Sequence, residues 1–162
     1  RREALEETAS QGQAFGRPTL AVPTDIGDPA SVKALFAQTK EKFGRLDVLF
    51  NNAGTNAPFL PLEDMPYEKW REVIDTNLTG AFLCAREAAA RMSTASGGRG
   101  GSIVNLSSVA ATYPYRGGAV YGGTKAFVSQ FSLDLRSDLH GTGVRVTSIE
   151  PGMAAAGILV ST

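Results

Sequence analysis

The stretch Leu46-Asp47-Val48-Leu49-Phe50-Asn51-Asn52-Ala53-Gly54 decides the fold. From Leu46 to Asn51 it is rich in Val, Leu and Phe and short enough to be a buried strand. The small and polar run Asn51-Asn52-Ala53-Gly54 then ends it. Working outward, Thr19 to Thr24, Ser102 to Leu106 and Val144 to Ile149 are runs of the same kind, so four strands are expected. Longer amphipathic stretches fill the gaps. A first helix is expected over Glu3 to Gln11, and a second starts at Asp28-Pro29 and closes at Phe43-Gly44, which reads as a C-cap. A third runs from Pro66 to Met92. A fourth covers Ala119 to Leu139, where Phe127, Phe131, Leu135 and Leu139 recur every four residues and predict a core stripe. Ser93 to Gly101 is Ser/Gly-rich and reads as a surface loop. Short strands alternating with helices predict βαβ units, hence an α/β fold with a mostly parallel, doubly wound sheet in one domain, 1–162.

Composition narrows the function classes. The 162 residues are 43% hydrophobic and 20% charged, which fits a globular chain with a real core and excludes a disordered or fibrous one. Sixteen basic residues balance sixteen acidic ones, so nothing favours nucleic acid or a membrane surface, and a small-molecule partner is expected. One cysteine, Cys84, excludes an intramolecular disulfide framework and suits a reducing compartment. One His and one Cys do not build a metal site. No apolar run approaches the length of a membrane span, and Arg1-Arg2-Glu3 has no apolar signal segment behind it, so the expected location is the cytoplasm.

Chemistry concentrates in Tyr121-Gly122-Gly123-Thr124-Lys125. Residues four apart share one helix face, so the Lys125 ammonium can sit beside the Tyr121 ring and stabilise its phenolate. Tyr121 then becomes a usable acid or base. Ser108 follows the strand Ser102 to Leu106, where its hydroxyl can reach a crevice at the strand's carboxyl end; Ser107 is the weaker of the two. Val73 and Ile74 put Asn77 on the apolar stripe of its helix, where an amide is costly unless it finds partners. Thr76 and Gly80 beside it permit a local distortion. His140, near a helix C-terminus, reads as a surface residue, and Cys84 and Trp70 as packing residues.

Together these motifs resemble those of the classical short-chain dehydrogenase/reductase family over nearly the whole chain. They are Asp25-Ile26, Asn51 to Gly54, Asn77, Ser108, Tyr121 to Lys125, and Pro151-Gly152. The resemblance implies a Rossmann-like, three-layer αβα fold, here incomplete at both ends. It also implies a carbonyl reductase or alcohol dehydrogenase acting on a small secondary alcohol or ketone with NADP, or with NAD. Tyr121 would exchange a proton with the substrate oxygen, Ser108 would hydrogen-bond that oxygen, and Lys125 would hold the nicotinamide ribose. Asn77 would hold a water that links Lys125 to solvent. For the cofactor, Asp25 would take the adenine amino group, with Ile26 beside it. Asn52, Ala53 and Gly54 would let the backbone approach, Pro151 and Gly152 would turn near the nicotinamide, and Arg1 and Arg2 would suit a 2'-phosphate. A homo-oligomer, tetramer or dimer, built on the two long helices is implied as well.

Two departures qualify the likeness. No Gly-x-Gly-x-x-Gly occurs, so a leading strand-helix-strand unit of roughly 30 or more residues is expected to lie outside this sequence. After Pro151-Gly152 the family's usual Thr is replaced by Met153-Ala154-Ala155-Ala156. Val120 to Met153 most resembles members acting on 3-hydroxy acids such as serine, whereas the part before it resembles sugar or acyl-thioester reductases. Two alternatives therefore stand beside the oxidoreductase: a silent Rossmann-like module, and a family dehydratase or epimerase.

Overall fold

Three parallel strands, β1 (Val48–Asn51), β2 (Gly101–Leu106) and β3 (Val144–Ile149), lie in the order β1-β2-β3 in this computed structural model, which describes residues 2–152. In register, Leu49 faces Ile103 and Ile103 faces Val146. These side chains share one face of the sheet and pack under α2 (Pro29–Phe43), α4 (Gly80–Met92) and α5 (Ala119–Asp138). Val32, Phe36, Leu83, Cys84, Ala88 and Met92 complete that core. Each buried Val, Ile, Phe or Met contributes about 1.5–3 kcal/mol. A polar row lies in the same layer. Asn51 Nδ2 donates to Ala81 O and Asn105 Oδ1, while Asn105 Nδ2 donates to Ser132 Oγ, so α4, both strands and α5 are bonded together. The alternate residues Val48 and Phe50 are 59% and 55% exposed, although their apolar character is that of a strand made for burial on both faces.

Helix boundaries follow local chemistry. Asp28 caps α2 by accepting from Ala30 N and Ser31 N, Pro29 fits the first turn, and Gly44 closes the helix in the left-handed region at φ 76°. The helix α1 spans Arg2–Ala14 and buries no residue, longer than the expected Glu3 to Gln11. The expected third helix is present, with one distortion beside Asn77. A helix α3 (Tyr67–Ile74) passes through a π-helical turn at Asp75–Thr79 into α4, with Gly80 N donating to Asp75 O. Gly80 admits the Ile26 side chain so closely that a Cβ there would lie 2.6 Å from Ile26 Cδ1.

Two expectations need correcting. Thr19 to Thr24 is not a strand, because no ladder partner lies beside it among the described residues. Its polar ends turn to local bonds instead, with Thr24 Oγ1 donating to Val22 O and Asp25 N to Ser31 Oγ. The core stripe of α5 is Val120, Thr124, Val128 and Ser132, with Leu135 and Leu139 continuing it. Phe127 lies about 100° around the helix from Val128, and with Phe131 it flanks the stripe. The two rings stack on each other with centroids 5.5 Å apart.

Candidate active site

The carboxyl ends of the three strands hold the site together. Ser107 N donates to Ile149 O and Val109 N to Pro151 O, extending the pairing past β2 and β3 and setting Ser108 beside Pro151-Gly152. Ser108 caps a single 3-10 turn, Val109–Ala111, by accepting from Ala110 N at 3.2 Å. Its hydroxyl hydrogen is left for another acceptor. Ser107 points inward and donates to Lys125 O at 2.8 Å, so it fixes α5 and takes no part in the crevice. The 3-10 turn lies close against α5, where a Cβ on Gly122 would stand 3.0 Å from Ala110 O.

Tyr121 is in the first turn of α5, and Lys125 one turn on brings Nζ to 5.6 Å from the Tyr121 ring centroid. Lys125 is not a solvated surface lysine. It is 5% exposed, and Nζ donates to Leu106 O at 2.7 Å. Burial pushes this ammonium below the ordinary lysine range, since the charged form loses its water. Burial, followed by the nearby Tyr121, holds the Tyr115 hydroxyl above the usual phenol range.

Asn77 sits inside the π-turn with its amide almost fully used. Oδ1 accepts from Thr55 N at 2.7 Å, and Nδ2 donates to Thr55 O at 2.9 Å and Thr124 Oγ1 at 3.1 Å. The side chain thus clamps the exit of β1 as a neighbouring strand would. Thr124 passes the connection on by donating to Tyr121 O at 2.8 Å. A Cβ on Gly54 would be 3.4 Å from Asn77 Oδ1 and 3.7 Å from Lys125 Nζ, so the missing side chain opens a cradle over both groups.

Tyr121, Lys125, Asn77, Gly54, Ser108 and Pro151 are therefore gathered at one end of the sheet, with Asn52, Ala53 and Gly152 exposed on its rim. Asp25 and Ile26 stand one step away. Asp25 Oδ1 accepts from Gly27 N in a local turn, and Ile26 packs on Gly80 at the end of the π-turn. Arg2 is exposed and pairs at 4.0 Å with Glu6 one turn on along its own helix. Arg1 and Met153 to Ala156 lie outside the described residues. Thr55 and Thr124 escaped the sequence reading. A Thr directly before Lys125 on the core side of an amphipathic helix was the available signal.

A cleft of about 1000 Å³ runs alongside this group. It is lined by Phe59, Leu60, Leu62 and Met65, by Ala110 to Thr112, and by Tyr115 to Val120 with Gly122. Tyr121 and Ser108 are not in its lining, but Val120 and Gly122 on either side of Tyr121 are, as is Ala110, whose N–H bonds the Ser108 hydroxyl. Among the described residues there is no cluster of groups able to hold a metal, and no helix is long and apolar enough to cross a membrane.

Comparison with known proteins shows the family. The family described as short chain dehydrogenase matches residues 1–161. A serine 3-dehydrogenase of Rhizobium radiobacter is 47% identical over 154 residues, 94% of this chain and 59% of that protein. An NADP-dependent 3-hydroxy acid dehydrogenase of Salmonella typhi is 42% identical over 139 residues, 86% of this chain and 55% of that one. The closed form of a serine dehydrogenase complexed with NADP+ superposes with a TM-score of 0.84 at 39% identity, covering 94% of this chain and 59% of its own. NAD+-bound xylitol dehydrogenase gives 0.90 at 30% identity, covering 97% and 59%. The chain spans under three fifths, about 55–59%, of the length of these relatives. With a family match over nearly every residue and a parallel sheet gathering Tyr121, Lys125, Asn77 and Ser108, the chain belongs to the short-chain dehydrogenase family.

Proposed function

We propose that this chain carries the reaction centre of an NADP(H)-dependent oxidoreductase interconverting a small 3-hydroxy acid and its ketone, with NAD(H) as the alternative cofactor. The observation that carries this reading is the buried Lys125 ammonium beside Tyr121. A charge is kept in a dry place only where it has work or a partner, and Leu106 O occupies one of its three N–H donors. The other donors suit a pair of ribose hydroxyls, and the opening over Gly54 leaves room for them. The substrate class comes from the serine and 3-hydroxy acid dehydrogenases among its relatives.

When bound, the nicotinamide accepts or supplies the hydride. In the oxidation direction the Tyr121 phenolate takes the alcohol proton, and in reduction the phenol returns it to the carbonyl oxygen. Lys125 favours the phenolate by its charge. Ser108 Oγ, already accepting from Ala110 N, donates its hydrogen to the substrate oxygen and holds it near Tyr121. Asn77 positions the site by tying Thr55 and Thr124 together. Replacing Tyr121 by Phe removes the proton and should lower kcat by about 10²–10⁴-fold. NADPH binding, followed by cofactor fluorescence, should persist in that variant. A near-normal rate would reject the assignment.

We also propose that the protein is a homo-oligomer, dimer or tetramer, assembled through the outer faces of α4 and α5. Support comes from the aromatic ridge these helices share, Phe82, Phe127 and Phe131.

A further inference from the structure

We propose that Arg116 is a specificity residue, its guanidinium binding the carboxylate of the substrate inside the cleft beside Tyr121. This rests on the oxidoreductase reading above and adds the group that selects acids over neutral alcohols. Among the described residues Arg116 is the one charged side chain lining the cleft, whose lining is otherwise largely apolar and includes Phe59, Leu60, Pro61, Leu62 and Met65. Its place is fixed by the turn that carries it. Gly118 N donates to Tyr115 O at 3.0 Å, Arg116 and Gly117 are the central residues, and Gly117 has φ 76° as the third position of a type II turn demands.

That turn is pinned on both sides. A Cβ on Gly117 would stand 3.2 Å from Phe59 Cα, the Tyr115 ring lies over Gly118, and the Phe59 and Tyr115 rings meet at 6.0 Å. The turn leads directly into α5, so Arg116 is anchored at the mouth of the helix that presents Tyr121. Arg2, Arg45, Arg71, Arg86 and Arg91 each lie within 4.0 Å of a carboxylate on this chain. Arg116, like Arg17, Arg99, Arg136 and Arg145, has no such partner among the described residues, and of these it alone lines the cleft. Arg116 is exposed at the rim of the cleft, where a planar fork of donors beside apolar walls is complementary to a small carboxylate, which it can hold through two parallel hydrogen bonds.

The test compares 3-hydroxybutanoate with its methyl ester, using NADP+ reduction by wild type, Arg116→Ala, Arg116→Lys and Tyr121→Phe. Wild type should prefer the acid. Arg116→Ala should lower the acid-to-ester ratio of kcat/KM by about 10- to 100-fold, chiefly through KM for the acid, as expected for lost hydrogen bonds to a charge. Arg116→Lys should recover part of that ratio, since it keeps the charge and loses the fork. Added salt should raise the acid's KM in wild type more than in Arg116→Ala. An unchanged ratio in Arg116→Ala, with Tyr121→Phe inactive on both compounds, overturns the role of Arg116 and leaves the oxidoreductase reading standing. Turnover that survives in Tyr121→Phe overturns that reading, and this inference with it.

Discussion

At the scale of single residues, the decisive feature is a charge held where water is scarce. Lys125 carries its ammonium in a nearly closed position, and its pKa is lowered from the ordinary 10.5 because burial penalises the charged form. The consequence for stability has a definite sign. Between the folded value and 10.5 the unfolded chain binds the proton more readily than the folded one, so stability climbs with pH through that interval. Below the folded value the whole penalty is present, and above 10.5 it is gone. Lys125→Met removes this titration, along with the bond to Leu106 O, whose loss does not depend on pH. The urea midpoint of wild type is therefore expected to gain on that of Lys125→Met as pH rises towards 10.5, other titrations being common to both proteins. A difference that stays constant over this range would show that burial does not burden the ammonium. The chain thus gives up stability at neutral pH to keep a cation beside Tyr121.

At the scale of elements, the π-turn Asp75–Thr79 is where the fold yields to the site. A regular helix from Tyr67 to Met92 would have presented a different face at Asn77, and π-turns recur at functional sites for this reason. Asn77→Ala should cost about 2–4 kcal/mol in urea unfolding, because Thr55 N and O both lose their partner. Thr124→Val should cost about 1 kcal/mol. Since the two share one bond, the double variant should fall short of the sum by about 1 kcal/mol, and strict additivity would show that the Asn77–Thr124 bond carries no energy. The same elements show what could be read from sequence. Val48–Asn51, Gly101–Leu106 and Val144–Ile149 were legible because short apolar runs between turn residues have few other uses. Thr19 to Thr24 has the same composition but no ladder partner, and composition does not encode a neighbour. On α5 the apolar residues misled: the buried face holds Thr124, Lys125 and Ser132, polar groups kept there by hydrogen bonds, while Phe127 and Phe131 were displaced to the flank. The closeness of Lys125 to Tyr121 follows from their four-residue spacing on one helix and the place of Ser108 from the strand before it, whereas the clamp of Asn77 on Thr55 depends on a distant loop.

At the scale of the whole molecule, the flank of α5 that the sheet does not use is the surface with most to gain from a partner. Phe127 stacks on Phe131 at an interplanar angle of 9°, Phe82 of α4 meets Phe131 edge-on at 6.5 Å, and Arg86 lies 5.6 Å above the Phe82 ring. Phe82 is 43% exposed, so this ridge is only partly covered by its own chain. A formal net charge of zero opposes no approach of a second copy. Aromatic residues and Arg are also the types enriched at the centres of protein interfaces. A twofold axis would set the same ridge against itself, so each substitution there acts twice. Phe131→Asp should therefore put two carboxylates face to face and weaken self-association by at least about 10-fold, read by sedimentation velocity as a shift toward smaller species. Because Phe131 flanks the core stripe without belonging to it, thermal unfolding of the dissociated species should remain cooperative. A wild type that sediments as a monomer at micromolar concentration would reject the assembly, and a Phe131→Asp variant of unchanged size would move the interface to another face.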